Sequence, residues 1–422
     1  MKTLFINLLF VVSLNLHASF DDHFLSKTLR LDYYHLGNNL EDSYSFDELI
    51  EEPFWGGSKV NLIDTFEYGS YLFKVIDKET SEVLYSHGYS SLFQEWQTTL
   101  EAKSIYRTYS ETVVFPFPKK TVVVEFYKRN KKNNWDKRFE YTVDPTNYFI
   151  SKEMKIKCDT FKVNNAGDPA TKLDIVIIAE GYTAAEMEKF QKDCQRFAGY
   201  LFKTSVYKKN KNNINIWGVK SISAESGTDF PGLGTWKKTI VNASFYTFDT
   251  ERYLMTTDNK NIRNIAANVP YDQIYILVNT DHYGGGGIYN FYSTCASDNS
   301  NSDFIFTHEF GHAFAGLGDE YYSSETSYND FYSLDVEPWE PNLTTLIDFG
   351  KKWKTMVDKT TPIPTPIRKE FYNKVGVFEG GGYVAKGVYR PYNDCTMKSV
   401  KFNEFCPVCS QAIQKMIDFY AK

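Results

Sequence analysis

The sequence is poor in cysteine, in excess positive charge and in long apolar runs. Six cysteines in 422 residues are too few for a disulfide framework to be the main source of stability. There are 47 basic and 53 acidic residues, and no basic cluster has interleaved aromatic residues, so a nucleic-acid partner is not expected. Beyond the N-terminus no segment approaches the roughly 18 consecutive apolar residues of a membrane span, which argues against stable membrane insertion.

The N-terminus is typical of an export signal. Met1 and Lys2 precede the apolar run TLFINLLFVVSLNL, which is followed by the small residues Ala18 and Ser19. We therefore predict a signal peptide over residues 1–19 and a protein that is secreted or located in the periplasm or cell envelope. The alternative is an N-terminal anchor that stays uncut.

Three cysteines lie close together near the C-terminus, as Cys395 and the FCPVC segment with Cys406 and Cys409. Export favours oxidation of thiols, so we expect a disulfide among these three residues. The alternative is a metal site with three thiolate ligands, although no histidine follows to complete it.

The first half of the chain, residues 20–150, has the alternating pattern of antiparallel strands. Leu29, Leu31 and Tyr33 alternate with polar neighbours, and hairpins are expected at residues 78–81 and 129–134. The pattern predicts an all-β sandwich of six to eight strands. No catalytic constellation is visible here, so this domain is expected either to bind a partner or to brace its neighbour.

The second half, residues 151–422, alternates strands with helices after a segment that we interpret as a connector, residues 143–172. The run LDIVIIAEGY has the length and apolarity of a strand buried on both faces, and the following helix opens with a capping box of Thr183 and Glu186. The predicted fold class is therefore α+β multidomain, an N-terminal antiparallel β-sandwich followed by an α/β domain.

The chemistry is concentrated in the HExxH segment within THEFGHAFAGLGDEYY. On a helix, His308 and His312 lie one turn apart on one face, where two imidazoles can bind a single zinc ion, and Glu309 lies beside the open position. Asp303 is placed to cap this helix. A zinc-activated water with Glu309 as general base would hydrolyse peptide bonds. The alternative, two structural histidines, leaves Glu309 buried without a reason.

A glycine run precedes this helix and indicates a substrate-binding edge. In TDHYGGGGIYNFYS the segment IYNFYS is predicted to be an exposed strand that pairs with an extended protein or peptide substrate, with Gly286, Gly287, Ile288 and Tyr289 as contacts. The alternative is a flexible glycine loop. The acidic segment SDNSNSD, residues 297–303, suggests Ca²⁺, but a solvated loop is the simpler interpretation.

Several long motifs resemble the immunoglobulin A peptidase family of secreted bacterial zinc metallopeptidases, within the metzincin-like group. The resemblance implies a zinc-dependent endopeptidase, with His308 and His312 as ligands, Glu309 as base and Met397 in a methionine turn beneath the metal. Immunoglobulin or another host glycoprotein is then one candidate substrate. The matching motifs are DIVIIAEGYT, ESGTDFPGLGTWKKT, TERYLMTTDNKNI, NTDHYGGGGIYN, THEFGHAFAGLGDEYY, EPWEPNLTTLIDF, FEGGGYVAKGVYRPYNDCTM and FCPVCSQAI.

The third zinc ligand is predicted to be Asp319. No histidine follows His312, so a downstream ligand must be a carboxylate. Gly316 allows the helix to end and the chain to turn back. The glycine and the ligand each lie one residue later than in the usual metzincin spacing, which keeps Glu320 as the alternative.

The oxyanion donor and the functional class each have more than one candidate. The donor that stabilises the oxyanion is expected among Tyr321, Tyr322, Tyr389 and Tyr392. A function of another class is a non-catalytic secreted protein that binds glycan or protein on a zinc peptidase-like scaffold. The intact Glu309 favours the peptidase.

Overall fold

The computed structural model describes residues 19–322 and 332–422. The predicted signal peptide lies, apart from Ser19, outside the described residues. Within the described ranges, no helix combines the length and the apolar character needed to cross a bilayer.

The first half contains seven strands and two short helices. These are α1 (Phe20–His23), β1 (Phe24–Gly37), β2 (Asp42–Glu52), β3 (Tyr71–Asp77), β4 (Val83–Tyr89), α2 (Leu92–Trp96), β5 (Arg107–Pro118), β6 (Val122–Arg129) and β7 (Trp135–Val143). The second half contains α3 (Met187–Leu201), α4 (Ser205–Lys209), α5 (Asn259–Ala266), α6 (Ser302–Ala315) and α7 (Pro407–Tyr420), with β8 (Thr160–Asn164), β9 (Leu173–Glu180), β10 (Ile214–Val219), β11 (Gln273–Val278), β12 (Gly285–Ile288), β13 (Tyr292–Ala296), β14 (Phe378–Gly381) and β15 (Val384–Arg390).

Two antiparallel sheets form the first half, in the orders β2-β1-β5 and β4-β3-β6-β7. Alternate residues of each sheet point into a shared apolar core, including Leu29 and Leu31 of one sheet and Phe73 and Val75 of the other. Hairpins join β3 to β4 and β6 to β7 at the two predicted turns. The predicted sandwich is confirmed.

The other face of β1 is buried against the second half of the chain. The Arg30 guanidinium binds both oxygens of Asp32 at 2.8 and 2.5 Å and donates to the Asn264 side chain of α5 at 2.8 Å. Thr112 of β5 donates to Asp32 and accepts from Asn259 of α5. A buried polar network therefore joins the two halves of the chain. The alternation of apolar and polar residues in β1 separates an apolar face from a polar face, and both faces are buried.

The second half is built on a six-stranded sheet in the order β12-β13-β11-β9-β10-β8. The four inner strands are parallel, and both edge strands run antiparallel to their neighbours. All eight residues of β9 are buried, as expected for a central strand covered on both faces. The mixed sheet with its helices confirms the predicted α/β character.

The segment interpreted as a connector contributes to this sheet. Its residues Thr160–Asn164 form β8, which pairs with β10 at one edge. The sequence interpretation was wrong here because β8 is short and only half-buried, so its apolar pattern is weak.

Different elements cover the two faces of the sheet. Helices α3, α6 and α7 pack on one face, and Cys194 of α3 lies in that core. The other face packs against α5 and against Leu92, Phe93 and Trp96 from the first half. The capping box before α3 is present, with the Glu186 carboxylate accepting from the backbone and hydroxyl of Thr183.

The exposed strand predicted at IYNFYS is not formed. The edge strand is the glycine run itself, β12, and the chain then turns through Asn290, which has a φ of +49° and donates its N–H to the Ala313 carbonyl at 2.9 Å. Tyr289 is 2% exposed and packs against Tyr68 and Trp339. The apolar residues that follow the glycine run therefore belong to a buried turn. They fill the space between the sheet and neighbouring loops.

Replacing Arg30 by Met should lower the free energy of unfolding by about 3–5 kcal/mol, because Asp32 would stay buried without its counter-charge. Denaturant unfolding followed by tryptophan fluorescence measures this. The control is Arg107→Met, which breaks an exposed ion pair with Glu101 and should cost less than about 1 kcal/mol. Equal stability of the two variants would contradict a structural role for the network.

Candidate metal centre and active-site cleft

Helix α6 carries the HExxH residues across the floor of a cleft. Its apolar residues are not confined to one stripe, and eleven of its fourteen residues are buried. The helix begins at Ser302 with Asn301 as its N-cap, so the predicted cap at Asp303 was wrong by two residues. His308 and His312 lie on one face, with their Nε2 atoms 3.1 Å apart.

The helix ends where the glycine pattern predicted. Gly316 has a φ of +61°, its N–H donates to the His312 carbonyl, and the Leu317 N–H donates back to the Gly311 carbonyl at 3.2 Å. The bond from the Gly316 N–H to the His312 carbonyl is that of an αL C-cap. The turn places the Leu317 carbonyl 2.5 Å from Nδ1 of His312, so in the neutral ring this nitrogen keeps the proton and Nε2, on the cleft side, can bind a cation.

His308 is oriented by a different segment. Its Nδ1 donates to the Thr396 carbonyl at 2.9 Å. The neighbouring Met397 is fully buried, and its sulfur lies 2.8 Å from where a methyl group on Gly311 would be. Met397 thus packs under the helix between the two histidines, and its carbonyl accepts from the Glu320 N–H at 2.8 Å. Its role as a methionine turn stays a prediction.

Asp319 approaches both histidines after the turn. Its Oδ1 lies 3.1 Å from Nε2 of His308 and 3.3 Å from Nε2 of His312. The carboxylate is buried, and Oδ1 has no hydrogen-bond partner within residues 19–322 and 332–422. Two imidazole acceptors and an unsatisfied carboxylate oxygen that converge on one point are a donor set for a divalent cation.

The second oxygen of Asp319 is held by Tyr383, whose hydroxyl donates to Oδ2. Tyr383 is at the tip of the β14–β15 hairpin, a two-residue turn in which Gly382 and Tyr383 both have positive φ, 55° and 65°. A non-glycine residue in this conformation is strained, so holding Tyr383 at this position costs conformational free energy. Sequence analysis missed Tyr383; the only signal was the GGGY motif.

The electrostatics of the site are strongly coupled. Burial alone would raise the pKa of Asp319, but the two imidazoles hold it well below its usual value. Burial lowers the pKa of His312, yet Asp319 and then Glu309 outweigh burial and raise it to about 9. The chain therefore directs negative charge at the histidine Nε2 atoms, the position where a cation would bind.

Glu309 lies next to the histidines on the open side. One carboxylate oxygen lies within 4.8 Å of a ring nitrogen of both His308 and His312. Its Cγ is 3.4 Å from where a methyl group on Gly285 would be, so the side chain runs beside the edge strand. Glu309 thus lies between the histidine pair and β12.

Glu320 points away from the histidines. Its carboxylate is fully buried beside three thiols, those of Cys395, Cys406 and Cys409. All six cysteines are free, so the predicted disulfide is not formed. The prediction rested on the compartment alone, and sequence could not show that a carboxylate shares the space among these thiols.

A cleft of about 810 Å³ opens above the histidines. One wall consists of β12 and Tyr289, and the others include Tyr321, Trp339 and Tyr383. The first half also contributes, which sequence analysis did not foresee: seven of its residues line the cleft, namely Ser70, Ser90, Gln94, Glu95, Asn130, Lys131 and Asn133.

Glu95 is the acidic residue among these contributions. Its carboxylate accepts a hydrogen bond from the Tyr253 hydroxyl. Burial, together with the nearby charges of Glu309 and Asp319, raises its pKa to about 7, against the opposing effects of Tyr253 and His312. The first half therefore places a titratable group near the histidines.

The predicted substrate-contact residues differ in whether they present backbone groups outward or bury their side chains. Gly285 exchanges backbone hydrogen bonds with Arg252 and Leu254, and the Tyr289 carbonyl accepts from Ser90. Backbone groups alternate in direction along a strand, so Gly287 presents its N–H and C=O outward between these two points. A methyl group on Gly287 would lie 2.1 Å from the Glu309 carbonyl, so glycine is required for this close approach. Ile288 and Tyr289 have buried side chains.

Of the four candidate oxyanion donors, Tyr321 lines the cleft. Burial and the charge of Asp319 raise its pKa well above the usual value, so the hydroxyl keeps its proton. Arg252 also lines the cleft and is hydrogen-bonded to Tyr321. Tyr322 lies over the Arg390 guanidinium instead.

The carboxylates of the acidic segment 297–303 have separate protein partners. Asp298 is paired with Lys189 at 2.9 Å, and Asp303 accepts from the Phe304 N–H within α6. Neither residue belongs to a group of three or more potential metal ligands in the described part of the chain.

Comparison with known families assigns both halves of the chain. The family described as IgA Peptidase M64 matches residues 161–375 and 367–417, and the one described as Peptidase M64 N-terminus matches residues 19–140. A search of curated proteins gave no match. The matched residues span most of the chain and include the HExxH helix, Asp319 and the edge strand. The chain therefore belongs to the M64 family of IgA peptidases, and the family implies a metallopeptidase.

Proposed function

We propose that this protein is an exported zinc-dependent endopeptidase that hydrolyses peptide bonds of extracellular proteins. The observation that carries the proposal is the convergence of Nε2 of His308, Nε2 of His312 and Oδ1 of Asp319 within 3.3 Å of one another, beside Glu309. Export is supported by the N-terminal sequence, and peptidase chemistry by the family.

The donor set fits zinc. Two neutral imidazole nitrogens and one carboxylate oxygen leave a fourth position open, as in catalytic zinc sites. Each donor has a fixing contact on its far side, from Thr396, Leu317 and Tyr383 respectively. When bound, zinc would polarise the peptide carbonyl and acidify the attacking water.

Glu309 is assigned as the general base. It lies between the histidines and the edge strand, where an extended peptide would bring its scissile bond. A carboxylate here takes a proton from the attacking water and delivers it to the leaving nitrogen. Tyr321 and Arg252, both lining the cleft, are assigned as donors to the developing oxyanion.

The substrate is assigned as an extended protein segment. Gly287 offers one outward N–H and one C=O to a peptide strand, and the cleft volume of about 810 Å³ admits several residues. Backbone pairing of this kind recognises an unfolded or loop segment and not a particular side chain. Host immunoglobulin and other glycoproteins are therefore substrates to assay.

Casein digestion tests the activity as a whole. We expect zinc-loaded protein to cleave casein, a chelator to stop cleavage and added zinc to restore it. A folded, zinc-loaded protein that leaves casein and a mixed peptide library intact would favour a non-catalytic binding protein.

The variant Glu309→Gln should lower kcat/KM by about 10²- to 10⁴-fold while keeping fold and zinc content, because it removes the base and keeps the side-chain volume. Peptide hydrolysis and elemental analysis measure the two properties. Gln94→Glu, a charge change at another cleft residue, is a control that should retain most activity. Near-normal turnover of Glu309→Gln would overturn the assignment.

The variant Asp319→Asn should weaken zinc binding by more than the roughly 10- to 100-fold typical of an outer-shell substitution, because it removes a ligand charge. Competition with a zinc-chelating dye measures the affinity. Asp303→Asn removes a charge from the first turn of α6 and is the matched control, expected to bind zinc normally. Unchanged affinity in Asp319→Asn would reject Asp319 as a ligand.

A further inference from the structure

A second group of metal-ligating side chains lies outside the cleft, in the core under the C-terminal segments. Glu320 follows Asp319, Cys395 follows β15, and Cys406 and Cys409 occupy the N-cap and the first turn of α7. One ligand atom of each of the four lies within 4.8 Å of those of the other three. All four side chains are at most 4% exposed.

The backbone around the cysteines is arranged to support thiolate sulfurs. The Cys406 N–H donates to Sγ of Cys395 at 3.2 Å, and the Cys409 N–H donates to Sγ of Cys406 at 3.5 Å. Two of the sulfurs also lie at the N-terminus of α7, where the helix dipole favours negative charge. These contacts favour sulfurs that carry charge over ordinary apolar packing.

Glu320 has an unused ligand atom in this group. Its Oε1 accepts from the Asn342 amide at 3.0 Å and from the Cys409 thiol at 3.1 Å. Its Oε2 is buried and has no hydrogen-bond partner among the described residues. A buried carboxylate oxygen without a partner costs free energy, so its presence beside three sulfurs calls for a ligand.

We propose that Cys395, Cys406, Cys409 and Glu320 bind a structural zinc ion, separate from the one in the cleft. Three sulfurs and one carboxylate oxygen give the four ligands of a closed tetrahedral site. A Zn–S distance of about 2.3 Å puts tetrahedral sulfurs about 3.8 Å apart, within the 4.8 Å spread of the group. Cys406 and Cys409 have the C-x₂-C spacing of such sites.

A disulfide satisfies this group less well. Joining any two sulfurs would leave the third thiol and the Glu320 carboxylate together in a buried site. Zinc uses all four side chains. The two positive charges of zinc and that of the buried Arg390, which acts on Glu320, offset three of the four negative charges of three thiolates and a carboxylate.

The second site is joined to the cleft by short covalent links. Asp319 and Glu320 are consecutive, so one ligand of each site belongs to the same dipeptide. Cys395 is followed by Thr396, whose carbonyl orients His308, and by Met397, which packs under the HExxH helix. The second ion would thus hold the segments that position the catalytic donors.

Metal content and thiol count of the full chain, purified without reductant, test the proposal. We expect about two zinc ions per chain in the wild type and about one in both Cys409→Ser and Asp319→Asn, since the two sites lose their ions separately. Cys194→Ser, a buried cysteine of α3 outside the group, is the matched control and should keep about two.

Thiol titration in denaturant with a chelator requires no variant to fold. All six cysteines should react. Four reactive thiols would show that two cysteines form a disulfide. If that disulfide includes Cys395, Cys406 or Cys409, the proposal is overturned. A wild type with a single zinc ion that Asp319→Asn removes would also overturn it and leave the catalytic assignment intact. If instead Cys409→Ser removes the only ion, the second site stands and the cleft assignment fails.

Discussion

The proposed metal centre depends on the reversal of the backbone at the end of α6. Two histidines one turn apart on a helix leave the remaining donors to other segments, so the chain must return to the same face within a few residues. The left-handed Gly316 and the bond from the Leu317 N–H to the Gly311 carbonyl achieve this return. The same turn fixes His312 through the Leu317 carbonyl and delivers Asp319, so a single motif sets two of the three donors.

Burial of carboxylates is the main cost of this arrangement. Asp319 and Glu320 are both buried, and their side chains lie on opposite sides of the segment, one toward the histidines and one toward the thiols. Tyr383 holds the first and Asn342 the second. The Asn342 side chain also exchanges two hydrogen bonds with the Gly318 backbone, so it fixes the path of the chain between the two positions.

The N-terminal sheets help to shape the cleft. The Arg30, Asp32 and Asn264 network fixes them against α5, and α2 covers one face of the central sheet. This placement brings Glu95 into the cleft beside Tyr253 and lets Ser90 bind the end of the edge-strand turn. A peptide in the cleft would therefore contact both halves of the chain.

The sequence by itself determined the features that depend on neighbours along the chain. Alternation predicted the sandwich and its hairpins, the capping box predicted the start of α3, and HExxH with Gly316 predicted the helix and its end, because each signal is a local backbone or side-chain preference. The tertiary structure decided the rest. Which of Asp319 and Glu320 faces the histidines, the approach of Tyr383 and Glu95, the gathering of three free thiols around Glu320 and the identity of the edge strand all depend on contacts between distant segments. Packing between distant segments produces no periodic pattern in the sequence.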